Sequence, residues 1–140
     1  MTEVRREGGC QCGHIRYVAV GEPVLAAICH CTMCRKAHSA PVVAWAMFPS
    51  SQVTFTQAAV KQYVSSAEAQ RGFCSECGTQ ICFTANFLPD LVDIALGSLD
   101  EPEAIAPTMH FWHSEHLSWM KFADELPVYS ELPPFGEEGT

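Results

Sequence analysis

Residues 29–34 read CHCTMC, which places Cys29, Cys31 and Cys34 within six positions. That is one thiolate short of the four that close a structural zinc site. The other five cysteines sort by spacing. Cys10 and Cys12 form CQC beside Gly8, Gly9 and Gly13; Cys74 and Cys77 form CSEC before Gly78; Cys82 stands alone. Two cysteines on a short turn make a knuckle whose sulfurs converge, and neighbouring glycines let the backbone turn its N–H groups toward them. Pairing the two-cysteine knuckles yields a complete tetrahedral set of Cys10, Cys12, Cys74 and Cys77, suited to a closed zinc site that staples the first strand to the middle of a sheet. The trio is left with three ligands and an open position, the usual arrangement of a catalytic zinc. A second closed site, completed by Cys82 or a histidine, is the alternative. A redox reading of CSEC lacks the strand-to-helix setting that lowers a thiol pKa. In QICFTA, alternation puts Cys82 on the more polar face, away from Ile81 and Phe83.

The rest of the composition narrows the class. The chain has 140 residues, 48% of them apolar, enough for one domain with a modest core. Sixteen acidic residues against eight basic ones leave a formal charge of -8, the wrong sign for a phosphate-backbone partner, so no nucleic acid is expected. MTEVRREGG has no apolar run of the kind a signal peptide needs, and APVVAWAMF is too short to span a bilayer. The expectation is a cytoplasmic protein without a membrane contact, whose cysteines stay reduced and bind metal.

Short apolar runs punctuated by breakers predict a mainly β chain. HIRYVAV, VLAAICH, VVAWAMF, QVTFTQ, VKQYVSS, QICFTAN, the start of LVDIALGSLD and MHFWHSEH read as strands, in a domain of eight or nine. Helix is expected only as a turn around Arg35 to Ala37 and a turn or two in HLSWMKFADEL. Residues 1–140 read as a single zinc-binding domain with an acidic, proline-rich C-terminal tail, LPVYSELPPFGEEGT, that frays at its end.

Taken in order, GGCQCGHIRY, CHCTMCRK, GFCSECGTQICF, GSLDEPE, TMHFWHSEHLSW and DELPVY resemble the glutathione-dependent formaldehyde-activating enzyme family, which also includes centromere protein V. The resemblance runs from about residue 8 to residue 129. It implies a small zinc-stabilised domain of the Mss4-like (β-tent) type. It also implies two zinc ions per chain: a closed structural site on Cys10, Cys12, Cys74 and Cys77, and an open, catalytic one on Cys29, Cys31 and Cys34. The activity it implies is a carbon–sulfur lyase-like addition of a small thiol, glutathione, to an aldehyde, formaldehyde, giving S-hydroxymethylglutathione. A non-catalytic carrier of small thiols and a zinc-stabilised protein-interaction domain stay open beside it.

Zinc already bound by three thiolates is a weak Lewis acid, so it suits holding a substrate thiol better than polarising the aldehyde. The hemithioacetal oxygen needs a proton, and His30 in the knuckle or His110 and His113 on the late strand have the pKa range for it. Alternation puts His110 with Trp112 on one face and His113 on the other. Arg35 and Lys36, just past the trio, are placed to attract a substrate carboxylate. Asp100 and Glu101 shape a turn.

Overall fold

The computed structural model describes residues 3–135; the last five residues of the expected fraying tail lie outside them. Among the described residues, ten strands form two sheets. The smaller is antiparallel, with β1 (Arg5–Gly9), β2 (Arg16–Val20) and β5 (Val53–Phe55) in the order β1-β2-β5. The larger contains β3 (Leu25–Cys29), β4 (Val43–Pro49), β6 (Lys61–Ser66), β7 (Ala69–Phe73), β8 (Gln80–Ala85), β9 (Leu91–Ala95) and β10 (His110–Phe111). Its order is β10-β3-β4-β9-β8-β7-β6, antiparallel except for the pair β10 and β3. The expectation of a mainly β chain holds.

Successive side chains of a strand point to opposite faces, and the large sheet uses the two faces differently. Ala26, Ala46, Phe48, Val92 and Ile94 turn toward the small sheet and share the main core with Ile15, Tyr17 and Ala19. Ala27, Cys29, Val43, Trp45 and Ala95 turn the other way and pack with Cys34 and Phe111. The central strand β4, VAWAMFP, is apolar on both faces because both are covered. Residues directly opposed across a sheet share a face. The register therefore lines up Arg71, Phe83, Asp93 and Met47 as one row on the face that carries the trio.

Several local expectations change. Two strands had no sequence signal: β1 is polar and glycine-containing, and β7, which includes Arg71, reads as little more than a lead into CSEC. The turn expected around Arg35 is a seven-residue helix, α1 (Thr32–His38), which takes in Cys34. Cys31 caps it, its Sγ accepting from Cys34 N at 3.3 Å.

MHFWHSEH is strand only at His110 and Phe111. Trp112 then adopts a left-handed backbone (φ 55°) and His113–Glu115 form a 3-10 turn. Residues 127–131 cause this by running alongside: Trp112 N donates to Glu131 O (3.0 Å) and His113 N to Tyr129 O (3.0 Å). HLSWMKFADEL forms no helix, only a turn closed by Met120 N on Leu117 O. It is held by side chains, with Asp124 on His110 and the Phe122 ring 4.8 Å from the His110 ring.

Cys82 does not lie on a polar face. A bulge between Gly72 and Phe73 interrupts the alternation opposite it, so Ile81 and Cys82 both enter the main core, at 0% and 5% exposure. Gly72 leaves the room, since a Cβ there would lie 2.6 Å from Cys82 Sγ.

Candidate metal centres and pocket

CQC closes the turn between β1 and β2, and CSEC the turn between β7 and β8. Gly13 and Gly78 follow with φ of 86° and 83°, a left-handed conformation that glycine adopts without a Cβ penalty. The turned backbone then points N–H groups at sulfur. Ile15 N donates to Cys10 Sγ (3.2 Å), and Glu76 N and Cys77 N donate to Cys74 Sγ (3.3 and 3.4 Å). Gln11 N donates to Thr79 Oγ1 at 3.1 Å, locking one knuckle to the other. The four sulfurs lie within 4.8 Å of one another, with Cys10–Cys12 at 3.6 Å and Cys12–Cys74 at 3.8 Å. A tetrahedron with metal–sulfur bonds of about 2.3 Å has edges of about 3.8 Å. The set could hold a metal ion. Thr79, through its hydroxyl and its backbone, holds the Cys77 thiol down to about 5, toward the thiolate a metal requires.

The trio is built differently. Cys29 ends β3, Cys31 caps α1 and Cys34 sits in the first turn of α1. Their sulfurs also fall within 4.8 Å, with Cys29–Cys34 at 3.6 Å. Among the described residues no other cysteine, histidine or carboxylate lies within that distance of all three. Hydrogen bonds from Cys29 and Cys34 hold the Cys31 thiol well below the usual thiol range, while bonding to Cys31 pushes Cys29 far up. Three crowded sulfurs do not all ionise unaided, and a divalent cation among them would supply the charge that lets them. Both clusters can hold a metal ion.

All three cysteines face a pocket of about 330 Å³, a size suited to a small ligand. Trp45, Phe83, Phe111 and Trp112 supply apolar wall; Arg71, Asp93, Glu68 and Glu115 supply charge. Arg71 is 4% exposed, donates from Nη2 to Cys34 Sγ at 3.6 Å, and lies 4.9 Å from the Phe83 ring centroid. Glu115 accepts from Thr32 N at 2.7 Å, at the start of α1.

The residues expected beside the trio are placed as follows. His30 and His110 are buried and bonded to each other, Nε2 to Nδ1 at 2.9 Å, and His110 Nε2 reaches Asp124 at 3.1 Å. Neither lines the pocket. Burial, then the neighbouring His113 and His110, pushes the His30 pKa down to about 4. Because Trp112 breaks the alternation, His113 does not face away but stands 4.8 Å from His30, ring centre to ring centre. Arg35 spends its guanidinium on His30 O, Thr32 Oγ1 and Glu115 O, bracing the knuckle. Lys36 is exposed and lines a neighbouring cavity. Asp100 does more than turn the chain, since it accepts from Arg16 at 3.0 Å. Sequence reasoning missed Arg71 and Asp93. Their only signal is a lone charge within each of the strand segments AQRGF and LVDIA, and the pairing register is what brings them to one face.

No described helix is long and apolar enough to cross a membrane. Among solved structures, a Rhodobacter sphaeroides protein is similar with a TM-score of 0.55 and 19% identity, over 72% of this chain and 91% of that one, which shows a shared fold. An uncharacterized lyase of Schizosaccharomyces pombe is 36% identical over 77 residues, 55% of this chain and 56% of that protein, so the chain spans about half the length of that relative. Residues 5–115 match the family described as glutathione-dependent formaldehyde-activating enzyme. That span takes in all ten strands and all eight cysteines, and the chain belongs to the glutathione-dependent formaldehyde-activating enzyme family.

Proposed function

We propose that this chain adds a small thiol, glutathione in the reaction the family is named for, to formaldehyde, giving the S-hydroxymethyl thiol. In this reading Cys10, Cys12, Cys74 and Cys77 would hold a structural zinc ion, and Cys29, Cys31 and Cys34 would hold a second one that could bind the substrate thiol. The observation that carries it is the contrast in ligand number beside a pocket: the three-sulfur set faces about 330 Å³ of space, while the other set is already four. All-sulfur donors of this number suit zinc. Zinc, when bound, lowers the pKa of a coordinated thiol and so keeps its sulfur nucleophilic near neutral pH.

The chain's own residues do the rest. Arg71 Nη2, donating to Cys34 Sγ, offsets negative charge accumulated on the trio. Trp45, Phe83 and Phe111 give the sulfurs an apolar wall on one side. In the addition, a sulfur–carbon bond forms, the carbonyl π pair moves to oxygen, and that oxygen takes a proton equivalent to the one the thiol gave up. Glu115 lines the pocket and is the group we assign to carry that proton. His30 and His110, anchored by Asp124, act as positioning residues that hold the knuckle strand, where His30 N also donates to Phe111 O at 3.2 Å. Lys36 attracts anionic substrate from the surface.

Cobalt substitution tests the reading. Titrating glutathione into the cobalt-loaded protein should alter the sulfur-to-cobalt absorption of one site of the two. A spectrum unmoved by glutathione and by an unrelated thiol would rule out direct coordination. Formaldehyde consumption no faster than the uncatalysed reaction would reduce the protein to a thiol carrier.

A further inference from the structure

Two charged side chains that line the pocket each keep one polar atom without a partner. Arg71 and Asp93 are 4% and 6% exposed, and Arg71 Nη1 and Asp93 Oδ1 are buried with no hydrogen-bond partner among the described residues. Buried polar atoms are nearly always satisfied, so each orphan needs an explanation. The two do not satisfy each other. They flank Phe83 on β7 and β9, two strand spacings apart, or about 10 Å between backbones at ~4.8 Å per strand. Both line the pocket that the trio faces. Burial pushes the Asp93 carboxyl up to about 7 even though Arg71 draws it down, as expected of a carboxylate without a close cation.

We propose that Arg71 and Asp93 together bind an α-amino-acid head group of the thiol substrate, the carboxylate at the Arg71 guanidinium and the ammonium at the Asp93 carboxylate, with Phe83 between them. The inference rests on the thiol reading above and names what the pocket selects. A ligand with one charge leaves the opposite orphan buried and unpaired. A plain anion is attracted by Arg71 and repelled by Asp93, and a plain amine meets the reverse. Formaldehyde alone is too small to reach both. The zwitterion fits because it carries both charges on one carbon, and the apolar Phe83 between the two side chains accepts that carbon. Free cysteine offers this chemistry, and so does glutathione through its γ-glutamyl end.

Calorimetric titration of the zinc-loaded protein with a series of thiols tests this. The series is cysteine, glutathione, cysteinylglycine, cysteamine, 3-mercaptopropionate and 2-mercaptoethanol. Cysteine or glutathione should bind at least about tenfold more tightly than the singly charged and neutral thiols. Tight glutathione with weak cysteine and cysteinylglycine marks the γ-glutamyl source, and tight cysteine with weak glutathione marks the free amino acid. In Asp93→Asn, the preference for the zwitterion over 3-mercaptopropionate should fall by about tenfold, with 3-mercaptopropionate binding unchanged or tighter. Equal affinity for all six thiols, or a preference that survives Asp93→Asn, overturns the head-group assignment and leaves the thiol reading standing. No binding of any thiol overturns both. The ligand comparison on the unaltered protein decides the matter even if the variant does not fold.

Discussion

The two cysteine clusters use the same atoms for opposite ends. In the four-cysteine cluster, both knuckles are hairpin turns, one between strands of the small sheet and one between strands of the large sheet. Its sulfurs connect the two layers at their rim, with Cys12 and Cys77 exposed. The three-cysteine cluster lies where β3 runs into α1, on the face of the large sheet away from the main core, and its walls are aromatic and charged. One cluster has its donors complete and its surroundings spent on N–H groups aimed at sulfur. The other has a donor fewer and a space beside it. Removing the first should therefore damage the fold, and removing the second should damage binding.

The largest effect expected is that of Cys74→Ser, which breaks the complete set. Metal at a structural all-cysteine site is worth on the order of 10 kcal/mol of folding free energy at neutral pH, so circular dichroism should show a largely unfolded chain. A cooperative melt near that of the unaltered protein would erase the distinction between the clusters. Cys31→Ser comes next. Metal analysis should fall from two equivalents to one, and thiol binding should vanish, while a cooperative thermal transition survives.

Asp93 sharpens the comparison from the pocket side. Its folded pKa of about 7 stands above the ordinary aspartate value of 3.8, so the folded state holds a proton that the unfolded chain has lost between those values. Stability should fall as pH rises from about 4 to about 7. With Asp93→Asn this component disappears, and the difference between the two proteins across that window should be at most about 4 kcal/mol. Arg71, Cys82, Glu68 and Glu115 share the surroundings and are common to both proteins, as are the metal ligands, so the difference in urea midpoint isolates Asp93. Parallel pH profiles would show that the carboxyl is already paired. The smallest effect belongs to Cys82→Ser, a hydroxyl placed in an apolar core at a cost of about 1–3 kcal/mol. Two metal equivalents should be retained; loss of one would make Cys82 a ligand.

Much of the chain was legible before its structure. Spacing alone sorted seven cysteines into the two groups that the fold assembles, because a knuckle is local: two residues on one turn, with a glycine to complete it, need no distant partner to converge. Most strands were legible for the same reason, as alternation and breakers act over a few residues. Cys82 was misread because one bulge, set by the pairing of β7 with β8, reverses which side chains look inward. His113 was misread because the returning segment 127–131 captures the backbone N–H groups of Trp112 and His113 and ends the strand.

The amino-acid sequence by itself determined the donor sets, the β character and the family. Only the tertiary structure decided which face of the sheet the trio occupies, and that Arg71 from one strand and Asp93 from another stand beside it. That row depends on register across strands distant in sequence, where a shift of one residue would send every side chain to the opposite face. Such pairing is settled by the burial of a whole core, and no short stretch of sequence contains it.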